Sequence, residues 1–374
     1  MDLIGRAAKL KGALVEFGTS PRFRRELKSY IARNYPNGVT DDGALTAAVD
    51  YFLLQYRLPS GGTVVEAFLD TQRGLPDDER EMLLGWREVI EGIFEITGKD
   101  RDSLTLFNLL DELTYRARSN LGRDAFGPLK KGSFVLGRLV PVGSDWMVSG
   151  HMSSFPSSAR REILATAANQ AMLRPAAVFR NPAKLAEARQ IVAERHAAFV
   201  DLFGTDLIVV PGSEVAGQVA KFHRHVAERR DPEGEPPAAP AMNVPERLLA
   251  DDGVALYHDD VEGLCFLPGY RLLDELFNDP ALLPRGNYQE TLSGYLRDPD
   301  TSPEPLRRLA DRDPARASVV FSKLLNRKRG FSWETDGEQL LRQNKPSYFD
   351  GSRLPTTVTL SKSLADAYRA SQGS

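Results

Sequence analysis

Leu113-Thr114-Tyr115-Arg116-Ala117-Arg118 alternates apolar and polar side chains residue by residue. A period of two puts one set of side chains on each face of an extended chain, as in a half-buried strand. The strand-like run spans Leu113–Ser119, and four more flank it: Val89–Thr97, Ser103–Leu110, Ser133–Val142 and Trp146–Met152. Turn-forming residues separate them at Gly98-Lys99-Asp100-Arg101-Asp102, Asp111-Glu112 and Gly143-Ser144-Asp145. Five short strands in about 65 residues predict a small antiparallel β-barrel of the SH3-like or OB-like type, because closure removes exposed edges.

Outward from this segment the period changes. Residues 1–87 read as a helical head. Ser20-Pro21 opens a helix with Phe23, Leu27, Tyr30 and Ile31 at helical spacing. Thr40-Asp41-Asp42 opens a second, striped by Leu45, Val49, Phe52, Leu53 and Tyr56. Shorter helices are expected near Val64–Thr71 and Asp77–Trp86, the latter started by Pro76 and three acids.

Beyond the barrel segment (88–155), residues 156–284 predict an α+β domain. Leu207-Ile208-Val209-Val210 reads as a buried strand ending in Pro211-Gly212 and followed by a helix. The arrangement recurs 57 residues later as Leu264-Cys265-Phe266-Leu267, Pro268-Gly269 and another helix. With Val254–His258 as a third strand, this predicts a small mixed sheet with two helices on one face. The proline-rich, acidic stretch 231–245 between the copies reads as a linker. Residues 285–374 predict a helical C-terminal region, with helix starts at Ser302-Pro303 and Asp313-Pro314 and a last helix near Leu360–Tyr368. The fold class is therefore α+β and multi-domain.

Composition narrows the function classes. The chain has 42% hydrophobic and 26% charged residues, which excludes wholesale disorder and collagen-like repeats. Its single cysteine, Cys265, excludes an intrachain disulfide and a multi-cysteine zinc site. Charges break the N-terminal apolar run, so no signal peptide is expected, and no stretch reaches the about 18 apolar residues of a membrane span. A cytoplasmic protein with no membrane partner is the expectation. The net charge of -3 disfavours a globally basic nucleic-acid binder, though not a basic face.

Catalytic motifs are absent: no phosphate loop, Rossmann fingerprint, nucleophile elbow or His-Glu-x-x-His occurs. No cofactor is implied. Basic residues gather in three places. Residues 1–35 hold Arg6, Lys9, Lys11, Arg22, Arg24, Arg25, Lys28 and Arg33 against Asp2, Glu16 and Glu26, a basic arm for an anionic partner or the solvated face of amphipathic helices. On the barrel segment, Arg116, Arg118, Arg123, Lys130, Lys131 and Arg138, with the aromatics Tyr115 and Phe126, carry the groups that single-strand binding uses. Between 303 and 329, Arg307, Arg308, Arg312, Arg316, Lys323, Arg327, Lys328 and Arg329 face only Glu304, Asp311 and Asp313. The leading expectation is a non-enzymatic binding protein for RNA or another nucleic acid. A protein-interaction scaffold, with a protein partner, is the alternative. A second alternative is a metal-dependent hydrolase using His258, Asp259 and Asp260, with Glu262 nearby; the same residues also suit a hairpin turn.

Overall fold

The computed structural model describes residues 3–39, 41–119, 121–122, 124–231, 244–326 and 330–372. Arg123, Arg327, Lys328, Arg329 and most of the expected linker lie outside the described residues. The chain divides into two compact units, residues 1–181 with 360–374 and residues 182–359.

Unit 1 opens with helices α1 (Leu3–Thr19), α2 (Arg24–Asn34), α3 (Asp42–Leu54), α4 (Val64–Thr71) and α5 (Asp77–Gly85). Their starts follow from capping. The Asp41 carboxylate accepts the Ala44 N–H at 2.8 Å. Thr63 and Glu66 form a reciprocal capping box on α4. Five strands follow: β1 (Ile90–Lys99), β2 (Ser103–Asn108), β3 (Thr114–Arg118), β4 (Phe134–Val142) and β5 (Asp145–Phe155). Helices α6 (Arg160–Leu173) and α7 (Pro175–Val178) end the first stretch of the unit.

The sheet order is β1-β2-β3-β5-β4, and β4 pairs back onto β1, so every strand has two hydrogen-bonded neighbours. Four pairings are antiparallel. The fifth, β3 with β5, is parallel through Ala117↔Trp146 and Arg118↔Met147, which corrects the all-antiparallel expectation. The long connection from Arg118 to Phe134 carries the chain past the neighbouring position, and β5 fills the place beside β3. Phe94, Ile96, Leu104, Leu106, Tyr115 and Val135 are buried between the strands. Phe126, expected as an exposed ring, is only 3% exposed and packs into the same core. A second cluster joins Phe52, Leu53, Val64, Phe68 and Trp86 of the helices to Val140, Val142 and Met147 of the sheet. At its edge lies a buried ion pair. Lys11 Nζ reaches Asp50 Oδ1 at 2.6 Å, and Ser149 Oγ donates to the same oxygen at 2.8 Å.

Unit 2 contains α8 (Pro182–Phe203), β6 (Leu207–Val210), α9 (Val215–Arg230), α10 (Glu246–Leu249), β7 (Val254–Asp259), β8 (Gly263–Leu267), α11 (Tyr270–Asn278), α12 (Tyr288–Arg297), α13 (Glu304–Arg312), α14 (Pro314–Leu324) and α15 (Trp333–Asn344). The last helix, α16 (Lys362–Gln372), belongs to unit 1, where Leu364 joins the core of α6 and β1. The sheet of unit 2 runs β6-β7-β8 with both pairings antiparallel, which corrects the mixed sheet expected. Helices cover both faces, not one. Ala255 and Tyr257 of β7 enter the core of α11–α15, while Val254 and Leu256 enter that of α8 and α9. Burial on both sides explains why all six β7 residues are buried.

The two strand–Pro-Gly turns need glycine for different reasons. A Cβ at Gly212 would lie 1.7 Å from the Leu248 carbonyl oxygen, so the backbones cross too closely for any side chain. Gly269 instead sits at φ 69°, the left-handed region, as the N-cap of α11. Asp251 binds both: its carbonyl accepts the Gly212 N–H at 2.8 Å, and its carboxylate accepts the Gly269 N–H at 2.7 Å. Among the described residues, no helix is long and apolar enough to cross a membrane.

Candidate functional site

The structure does not present the barrel-segment candidates as one open basic face. Arg116 and Arg118 both approach Asp145 at 3.6 Å, and Arg118 also pairs with Asp102. Arg138 donates to the Ala47 carbonyl at 2.7 Å and lies between Asp50 and Glu91. Tyr115 is buried and donates to Asp111 Oδ2 at 2.7 Å; desolvation raises the carboxyl of Asp111 and the phenol of Tyr115 alike. With Tyr115 and Phe126 both in the core, the aromatic part of the expected surface is absent. Lys130 and Lys131 remain exposed, without an ion pair among the described residues.

Four arginines of the C-terminal basic segment, Arg307, Arg308, Arg312 and Arg316, are held by carboxylates. Arg307 donates to Glu304 and Glu338, and Arg308 grips both oxygens of Asp206, the first at 2.6 Å. Arg312 donates to Asp274 at 2.6 Å and Arg316 pairs with Asp313. Unit 2 as a whole holds 22 basic and 28 acidic residues, whereas unit 1 holds 26 basic and 23 acidic. The positive balance therefore lies in unit 1. On α2, Tyr30 is buried, while Arg24, Arg25, Lys28 and Arg33 are exposed and form no ion pair among the described residues.

Two cavities of about 400 Å³ lie within unit 2. The first is polar. Asp259, 1% exposed, accepts the N–H groups of Val261 and Glu262 at 2.8 and 2.9 Å and pairs with Arg353. It thus caps the hairpin turn, one of the two roles that its sequence allows. Burial raises the Glu262 carboxyl despite Arg353, and Tyr348 donates to it at 3.1 Å. His196 donates from Nδ1 to the His258 carbonyl at 2.9 Å.

His258 lines the other cavity, with its ring against His196, Phe199 and Phe222. His258 and the pair Asp259–Asp260 therefore do not converge on one point, and no group of three His, Cys, Asp or Glu among the described residues is placed to hold a metal. The close pair His223 and His225 also diverges: His225 Nε2 meets Asp201 at 2.9 Å, while His223 faces the second cavity. Cys265 is a half-buried thiol that burial pushes up to about 12, which leaves it unreactive at neutral pH.

His258 gives a pH-dependent expectation. It is 1% exposed, and burial first, then His196, pushes it down to about 4 from the ordinary 6.5. A depressed imidazole stabilises the fold above the unfolded value and loses that contribution as pH falls from about 6.5 to about 4. At about 1.4 kcal/mol per unit, the loss is about 3 kcal/mol. Urea unfolding at both ends of that window should show it in the wild type and show a clearly smaller loss in His258→Leu. Equal losses in the two proteins would remove His258 as the cause.

The sequence singled out His258, Asp259 and Glu262, but not His196, Asp206, Tyr348 or Arg353. These come from two stretches, 196–206 and 348–353, and carry no local motif. Compared with protein-family models, with curated proteins and with solved structures, the chain matches none.

Proposed function

We propose that this chain is a non-enzymatic binding protein and that unit 1 takes a polyanion, RNA or another nucleic acid. The observation that carries this reading is the solvent face of α2, where Arg24, Arg25, Lys28 and Arg33 are exposed and have no acidic partner among the described residues. Unpaired cations on one short helix release phosphate counterions on binding, and that release drives sequence-independent affinity. Lys130 and Lys131 add two more free cations in the same unit. The five-stranded sheet supports the reading as well. Its closed circuit, with β5 between β3 and β4, favours the OB-like over the SH3-like barrel, and OB barrels serve widely in oligonucleotide recognition.

Arg307, Arg308, Arg312 and Arg316 have no part in this proposal, because carboxylates already occupy them. A labelled single-stranded RNA should bind in fluorescence anisotropy at about 50 mM salt. Replacing Arg24, Arg25, Lys28 and Arg33 by Ala should reduce the slope of log affinity against log salt by about 3, at about 0.7 for each lost phosphate contact. Arg307→Ala should leave the slope unchanged. Undetectable binding of both RNA and duplex DNA at low salt would sink the proposal. A stoichiometric protein partner that survives nuclease would favour the scaffold instead.

A further inference from the structure

The second cavity of unit 2 differs from the polar one in lining and in charge. Val192, Val219, Phe222, Leu264 and Phe266 form apolar walls around about 400 Å³, a volume within the usual range of small-molecule sites. Val192 and Arg195 stand three apart on α8, and Val219 and Phe222 three apart on α9, so each helix turns one face to the cavity.

Arg195 is the one cation among the described lining residues, and no acid is among them. Its Nη1 makes a 3.4 Å contact with Thr357 Oγ1, and its Nε is buried without an acceptor. Among the described residues no carboxylate pairs with it; the charge that acts on it is Arg230, of the same sign. The arginines of the polar cavity contrast with this, since Arg308 and Arg353 each hold an aspartate. His223 and His258 supply no opposing charge: burial lowers both imidazoles toward the neutral form, and a protonated one would carry the same sign as Arg195. A partly buried guanidinium without a counter-ion is costly, and a carboxylate is the group its donors fit best.

We propose that this cavity binds a small carboxylic acid with an apolar body, its carboxylate on Arg195 and its chain against Val219, Phe222 and Leu264. The site lies in unit 2 and is independent of the polyanion reading of unit 1.

Octanoate and octan-1-ol, titrated calorimetrically into the full chain at pH 7, test this. Octanoate should bind at one site per chain, and octanol at least about tenfold more weakly. Arg195→Met keeps the apolar stem and removes the charge; it should weaken octanoate at least about tenfold and leave octanol within about twofold. Val219→Trp fills the cavity without touching Arg195 and should abolish both, which keeps the test open if Arg195→Met does not fold. Octanoate binding weaker than about 1 mM, equal affinity for octanol, or full octanoate binding by Val219→Trp would each overturn the proposal.

Discussion

Asp50→Ala should destabilise unit 1 by about 3–5 kcal/mol. Asp50 is 2% exposed and Lys11 is 6% exposed, so neither charge is solvated by water. Burial lowers the Lys11 pKa, against the pull of Asp50, which marks an ammonium that depends on its partner. Arg138 stands 3.8 Å from Asp50 Oδ2, so removing the carboxylate strands Lys11 and leaves Arg138 with Glu91 as its remaining acid. Gly150 records how tight the site is: at φ 73°, a Cβ there would lie 2.9 Å from the Asp50 side chain. Trp86 lies 5.8 Å from Lys11 Nζ and, with Trp146 of the same unit, can report the transition once Trp333 of unit 2 is replaced by Phe. The double variant Lys11→Met with Asp50→Leu should recover much of the loss, because an apolar pair avoids the desolvation cost. A midpoint for Asp50→Ala within about 1 kcal/mol of the wild type would mean that the pair contributes little.

Gly212→Ala should cost about 3 kcal/mol or more, the upper end for overpacking a site that cannot relax. The obstruction is backbone: the Leu248 carbonyl oxygen lies where the methyl would go, and the Gly212 N–H is already bonded to Asp251. Neither segment can withdraw without breaking the turn between β6 and α9. Gly269→Ala should cost less, about 1–2 kcal/mol, because it meets left-handed strain and only a side-chain methyl of Thr291 at 3.0 Å. Thermal unfolding of the two variants side by side gives the ranking. If Gly269→Ala were the more harmful, backbone crossing would not be the controlling feature at Gly212.

Much of the local structure was legible. The run expected at Ser133–Val142 is β4 at Phe134–Val142, and Asp313-Pro314 starts α14 with the Asp313 carboxylate on the Arg316 N–H. These features depend on neighbours in the chain, so periodicity and capping reach them. The alternation that identified β3 also placed Tyr115 with Leu113 and Ala117 on the inner face, and the surface reading of Tyr115 overlooked this. The sheet orders were not legible, because nothing local says that β5 lies beside β3 or that β7 is buried on both faces. The ion pairs of the basic segment at 303–329 were not legible for the same reason. Local charge showed an excess, but the acid that holds Arg308 is 102 residues away and the one that holds Arg312 is 38 away.

Asp251 joins the two strand–Pro-Gly turns through a single residue, carbonyl to one and carboxylate to the other. The turns are far apart in sequence, yet neither can open without disturbing the anchor of the other. The amide protons of Gly212 and Gly269 should therefore exchange with deuterium at matched rates, as members of one opening event. The apparent repeat is then a single cooperative latch rather than two independent copies, and β7, which leaves Asp251 and runs between them, is what it locks in place.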